Sequence, residues 1–127
     1  MMIDSAITKF IEKLYPDSLD LRDDCMKALE NKEYSLNFEL IGTPFQLAVW
    51  KEIAGIPFGQ TESYSDIAKK VGNPKSVRAV ANACGDNPFP IIIPCHRVVG
   101  KNDFGGYRYG VKLKKKLQDY ERSQLAE

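Results

Sequence analysis

Histidine is almost absent from this chain: one imidazole, His96, serves 127 residues. A Cys/His zinc site needs four nitrogen or sulfur ligands, so one histidine with scattered thiols cannot complete one. Cysteine is scarce too, with Cys25, Cys84 and Cys95 forming an odd set that has no Cys-x-x-Cys spacing. This excludes a disulfide framework and points to a reducing compartment, with no metal and no cofactor expected. Also missing is any apolar run near the roughly 20 residues that cross a bilayer. The first residues lack a basic start followed by an apolar stretch. A soluble, intracellular protein without a membrane partner is the expectation.

An excess of one charge is lacking overall, since the formal net charge is +1. The balance is uneven along the chain. Residues 1–63 hold 6 Lys/Arg against 11 Asp/Glu, whereas residues 64–127 hold 12 against 6. A basic half is the electrostatic footprint of a phosphate-backbone binder. The plainer alternative is a solvated helix face, because Lys112, Lys114, Lys115 and Lys116 supply four of the 12 positive charges.

Taken in order, Ile3, Ile7, Phe10, Ile11 and Leu14 recur at helical spacing, closed by Pro16. Asp17 or Ser18 caps a second helix with Leu19, Leu21, Cys25, Met26 and Leu29 apolar, Cys25 being a core residue. Tyr34–Leu40 alternates strictly, as an isolated strand or extended arm that needs a partner surface. Gly42 marks a boundary. Thr43 and Pro44 then start a helix whose inward stripe is Phe45, Ala48, Val49 and Ile53. Ser63 and Asp66 open another that stops at Gly72, and a third runs from Asn73-Pro74 to Gly85. Two short helices joined by Gly-Asn-Pro form a helix-turn-helix pattern, with Lys75, Arg78 and Asn82 on a side suited to DNA.

The chemistry concentrates in Ile91-Ile92-Ile93-Pro94-Cys95-His96-Arg97-Val98-Val99. Three β-branched residues predict a short buried strand, and Pro94 turns the chain sharply after it. A thiol followed by the lone imidazole places a nucleophile beside its possible base. A buried Cys and a capped His at a strand end is the bland alternative.

The ordered blocks Gly59-Gln60-Thr61, Ser63-Tyr64, Gly72-Asn73-Pro74, Arg78-Ala79-Val80, Asn87-Pro88, Ile93-Pro94-Cys95-His96-Arg97-Val98 and Gly106-Tyr107 resemble the O6-alkylguanine-DNA alkyltransferases. The resemblance runs from about Thr43 to Glu121, nearly without gaps. It implies a mainly α fold with minor β: a winged-helix-like helix-turn-helix domain over 43–127, preceded by a truncated α/β segment over 1–42 of two helices and one strand. It also implies direct-reversal DNA repair by a monomer. An alkyl group, chiefly methyl, passes irreversibly from O6-alkylguanine in double-stranded DNA, with O4-alkylthymine as the further candidate, to the protein after base flipping. The protein would be cytoplasmic and associated with the nucleoid through DNA, or nuclear in a eukaryote.

The resemblance assigns roles residue by residue. Cys95 would accept the alkyl group, and His96 would take its proton through a water, oriented by Glu121. Asn87 would brace the turn that carries the nucleophile. Tyr64 would sit at the turned phosphate and donate a proton to the departing guanine. Arg78 would enter the duplex in place of the flipped base, while Ser65, Asn73 and Lys101 would touch DNA. Pro90, Tyr107 and Arg108 would line the substrate pocket.

Elementary chemistry favours the same set. A free thiol of pKa about 8.5 is only ~3% thiolate at pH 7, so a held imidazole is useful beside it. Two departures stand out: a short front end, and Arg108-Tyr109 after the pocket tyrosine where relatives often have small residues. A noncatalytic alkyltransferase-like lesion binder would lack the acceptor Cys. A winged-helix regulator would need neither Cys95 nor Asn87.

Overall fold

The computed structural model describes residues 2–34 and 39–125. Most helices begin where the sequence supplies a cap. Asp4 accepts from the Ala6 amide at 2.7 Å ahead of α1 (Ser5–Leu14), and Ser18 from the Leu21 amide at 3.1 Å ahead of α2 (Leu19–Leu29). Thr43 and Gln46 form a reciprocal box at 3.1 and 3.0 Å before α3 (Pro44–Ala54). Ser63 caps α4 (Tyr64–Lys70). That helix closes with Gly72 at φ +82°, where the Gly72 amide reaches Lys69 O and the Asn73 amide reaches Ala68 O, both at 3.0 Å.

The next helix starts later than the sequence suggests. α5 spans Val77–Gly85, and Asn73–Ser76 make a separate turn. Ser76 donates to Asn73 O from its amide at 3.0 Å and from its hydroxyl at 2.6 Å. Asn at the first position and Pro at the second are the residues a type I turn prefers, so this pair serves the turn and not the helix. Asn73 therefore precedes the helix it was expected to open. A parallel pair follows, β1 (Glu62–Ser63) with β2 (Val98–Val99), Glu62 opposite Val98. Among the described residues this is the whole sheet, and no antiparallel hairpin follows α5. The strand expected over Tyr34–Leu40 falls across 35–38, outside the described residues.

Two apolar cores result. α1 and α2 pack on α6 (Val111–Leu125), burying Ile7, Phe10, Ile11, Cys25 and Leu29 against Leu117 and Tyr120. Leu19, one of the apolar residues of α2, stands at its first turn and is exposed. α3, α4 and α5 form the second core around Val49, Trp50, Ile53, Ile67 and Val80.

The isoleucine triplet joins the cores, but as a turn instead of the expected strand. Ile91 and Ile92 enter the first core and Ile93 the second. The Ile93 amide reaches Phe89 O at 2.9 Å, and Ile91 lies at φ +73°. Carbonyls that a ladder would have paired are taken by phenols: Tyr15 donates to Pro90 O at 2.9 Å and Tyr34 to Ile92 O at 3.3 Å. Cys95–Arg97 then forms one 3-10 turn leading into β2.

A left-handed backbone costs a β-branched residue about 1–2 kcal/mol. Glycine normally sits about 1 kcal/mol below alanine when it replaces a structured residue. At position 91 that order should reverse: Ile91→Gly is expected to be at least as stable as Ile91→Ala, although both lose core burial. Urea midpoints of the two variants check this, and a glycine variant clearly weaker than the alanine variant would show that the positive φ stores no strain.

Candidate active site

The end of α5, the 3-10 turn, the 104–110 loop and the start of α4 enclose a cavity of about 270 Å³ lined by Tyr64, Ala81, Cys84, Gly85, Cys95 and the stretch Gly106–Arg108. Cys95 is 6% exposed, at its floor. Asn87 holds this floor in place. Its Nδ2 donates to Ile93 O at 2.7 Å and to Cys95 Sγ at 3.2 Å, and its Oδ1 accepts from the Phe89 amide at 2.9 Å. One buried amide thus fixes both the turn and the sulfur that the turn carries.

Behind the thiol lies a buried ionic cluster. His96 has no exposed surface, and its Nε2 is 3.2 Å from Glu121 Oε2, off the line of a good hydrogen bond. Among the described residues its Nδ1 has no hydrogen-bond partner. The His96 carbonyl accepts from Gln118 Nε2 at 2.8 Å, so α6 grips backbone and ring together. Arg97, whose role the sequence left unread, donates through Nε to both Glu121 oxygens at 3.1 Å and through Nη1 to Ile56 O at 3.0 Å. Ion pairing is what lets these groups be buried at all.

Lys114 is the largest surprise. A solvated helix face was the plainer alternative for it and its neighbouring lysines, yet it is fully buried. Its Nζ donates to Phe104 O at 2.8 Å and Gly106 O at 2.9 Å, 5.9 Å from the centre of the Tyr64 ring. Burial lowers its pKa to about 8, against the pull of Cys84, Asp103 and Cys95. Tyr64 donates weakly to the same Gly106 O at 3.4 Å, and burial raises its phenol to about 12. Gly105, at φ +73°, lets the loop pass under that ring: a Cβ there would stand 2.9 Å from Tyr64 Cε2.

The Cys95 thiol is held well above its ordinary pKa. Its hydrogen bond with Cys84 is the largest cause, followed by burial, while the Asn87 amide and the Lys114 charge pull downward. At rest this thiol is therefore neutral.

Of the other expected site residues, Tyr107 and Arg108 line the cavity, and Arg108 Nη1 reaches across to Gly85 O at 3.0 Å. Pro90 does not line it. It is buried with its carbonyl bonded to Tyr15, because the turn aims it toward the first core. Tyr109, expected to crowd the pocket, packs instead on Phe10 with ring centres 5.0 Å apart. Arg78, Asn73 and Lys101 are exposed outside the cavity; Ser65 is half-buried at the start of α4, its hydroxyl 3.1 Å from that of Ser63. Cys84 and Lys114 were not singled out, since a thiol in an alanine-rich helix and a lysine among lysines carry no sequence signal.

Burial pushes the Glu121 carboxyl up, but the neighbouring His96 imidazole and the bonds from Arg97 outweigh it, leaving the pKa below its ordinary value of 4.5. A carboxyl with a depressed folded pKa adds stability above its unfolded pKa, and that stability is lost as pH falls through the folded value. Glu121→Gln should cost about 3–5 kcal/mol at pH 7, because Arg97 is left buried and unpaired. Its stability should also fall less steeply than wild type below pH 4.5. Urea titrations at a series of pH values read both, and an unchanged acid limb would remove Glu121 from acid unfolding.

Comparison with known proteins gives the family. Residues 44–123 match the model of the 6-O-methylguanine DNA methyltransferase DNA-binding domain. A probable methylated-DNA–protein-cysteine methyltransferase of Acanthamoeba polyphaga mimivirus is 49% identical, with 96% of this chain aligned to 88% of that protein. The inducible methylated-DNA–protein-cysteine methyltransferase of Bacillus subtilis is 43% identical, covering 94% of this chain and 73% of its own length. The crystal structure of Mycobacterium tuberculosis OGT in complex with DNA superposes with a TM-score of 0.73 and 40% identity, over 80% of this chain. The chain spans 64% of that structure's length. A family match over most of the chain, with a relative near half identity along almost all of it, means that the chain belongs to the O6-methylguanine-DNA methyltransferase family.

Proposed function

We propose that this protein repairs DNA by moving an alkyl group, chiefly methyl, from O6-alkylguanine to Cys95. The observation that carries the reading is the Cys95 thiol at the floor of a half-open cavity, with the Asn87 amide on its sulfur and a buried His96–Glu121 pair behind it. The relatives' names supply the class of reaction.

The base must leave the stack to reach such a floor, at a cost of a few kcal/mol. The helix-turn-helix of α4 and α5 presents Arg78, Ala79, Ala81 and Asn82 on an exposed face. Its small side chains allow close approach to a groove, and Arg78 at the first turn fills the gap in the stack. Lys75, Asn73, Ser65 and Lys101 hold backbone phosphates. His96 takes the Cys95 proton through a bridging water, and Glu121 bears the resulting charge on the imidazole. The thiolate sulfur attacks the alkyl carbon, the carbon–O6 bond breaks, and its electron pair leaves with guanine. Tyr64, whose phenol stays protonated up to about pH 12, donates to the departing base, with the Lys114 charge alongside. The product is a thioether that no residue here can cleave, so each molecule acts once.

Incubation with a methylated duplex should add one methyl mass to Cys95. Cys95→Ala should bind the same duplex and gain nothing, with Cys25 and Cys84 still present. Methyl on any residue of that variant, read by peptide mass, would overturn the assignment; binding without transfer by the unmodified protein would make it a lesion binder.

Arg108 bridges the cavity mouth to Gly85, leaving a methyl group room and a benzyl ring little. Overpacking a rigid site costs about 1–3 kcal/mol, and each 1.4 kcal/mol is tenfold. Free O6-benzylguanine should therefore inactivate the protein slowly, and Arg108→Ser should speed inactivation about tenfold or more. Counting surviving acceptor thiols over time tests it, and equal rates would show that the bridge does not gate the pocket.

A further inference from the structure

Alkyl transfer as described needs one thiol, and the cavity holds two. Cys84 lies on the last turn of α5 and Cys95 opens the 3-10 turn, and both face the same space of about 270 Å³. Asn87 ties the two ends together: its amide donates to Cys84 O at 3.3 Å, and its side chain donates to Cys95 Sγ at 3.2 Å. Of the groups around Cys95, the Cys84 thiol acts on it most strongly. Cys25, the third cysteine, sits apart in the first core.

We infer that Cys84 and Cys95 are a modification site, a dithiol pair that a small hydroperoxide closes into a reversible disulfide. Two thiols facing one cavity from the two ends of a short turn are placed to form a disulfide. Cys84 is the more exposed of the two and meets the oxidant first. Its sulfur takes one oxygen from hydrogen peroxide, giving a sulfenic acid and one water. The Cys95 sulfur then attacks that sulfenic sulfur. The S–S bond forms, the S–O bond breaks, and hydroxide leaves with the Cys95 proton as a second water. Two thiols give up two electrons and the peroxide takes them.

This chemistry requires only the two thiols. Its consequence for repair rests on the reading of Cys95 as acceptor. A disulfide has no thiolate for an alkyl carbon, so the oxidised protein is silent, yet it is spared the sulfinic and sulfonic acids that thiols cannot reduce.

The test treats the reduced full-length protein with graded hydrogen peroxide, followed by intact and peptide masses. Methyl-accepting thiols are counted before and after dithiothreitol. Wild type should lose two hydrogens, give a linked 84–95 peptide, lose acceptors in step with that link, and regain them on reduction. Cys84→Ser and Cys84→Ala, each compared with its own untreated sample, should keep their acceptors at the same peroxide dose. Oxygen added to either cysteine without a linked peptide would overturn the proposal. Variants that lose acceptors as fast as wild type would also overturn it. A linked peptide in a protein that never accepts methyl, even when reduced, would uphold the pair and refute the alkyl-transfer reading instead.

Discussion

Glu121 couples the two halves of this molecule. It stands on α6, which belongs to the first core, and its carboxylate receives Arg97 and faces His96, both on the turn that enters the second. Arg97 passes the connection on to the Ile56 carbonyl just beyond α3. A carboxylate this deeply buried survives only because opposite charges meet it, and those charges survive only because it is there. Cys95 is the residue before this pair. Its position is therefore set by an ionic contact that neither core could supply alone.

The same arrangement explains the resting chemistry. Cys95, Tyr64 and Tyr107 are all pushed toward their neutral forms by burial, and Lys114 is pulled the same way. A site with little free charge suits an uncharged ligand such as an alkylated base. The Asn87 amide and the Lys114 charge stand ready to stabilise the anion once it forms. On the proposed reading, the thiol is unreactive in isolation and becomes reactive when a base and a leaving group are assembled around it.

Much of this was legible in the chain. Caps at Thr43, Ser18 and Ser63 and the stop at Gly72 gave helix ends close to those observed, because cap chemistry is local. The Pro-Cys-His-Arg block pointed, through its adjacent thiol and imidazole, to the turn whose Cys95 lines the cavity. Errors arose where distant contacts overrule local preference. Ile91–Ile93 has the composition of a strand, but two phenols from far along the chain satisfy its carbonyls, so the backbone is free to turn. Lys114 looked like its neighbours and differs only in facing two carbonyls of the loop before it. Pro90 was placed in the pocket by resemblance, whereas its carbonyl is held by Tyr15 in α1's core.

The chain holds one tryptophan. Trp50 is 2% exposed in the second core, and its indole Nε1 donates at 2.9 Å to the Ala83 carbonyl, one residue before Cys84. Its emission therefore reports on the seating of α5 without interference from a second indole. Any event that tugs that helix, whether a duplex on its outer face or a new bond to the sulfur beneath it, has a built-in optical signal.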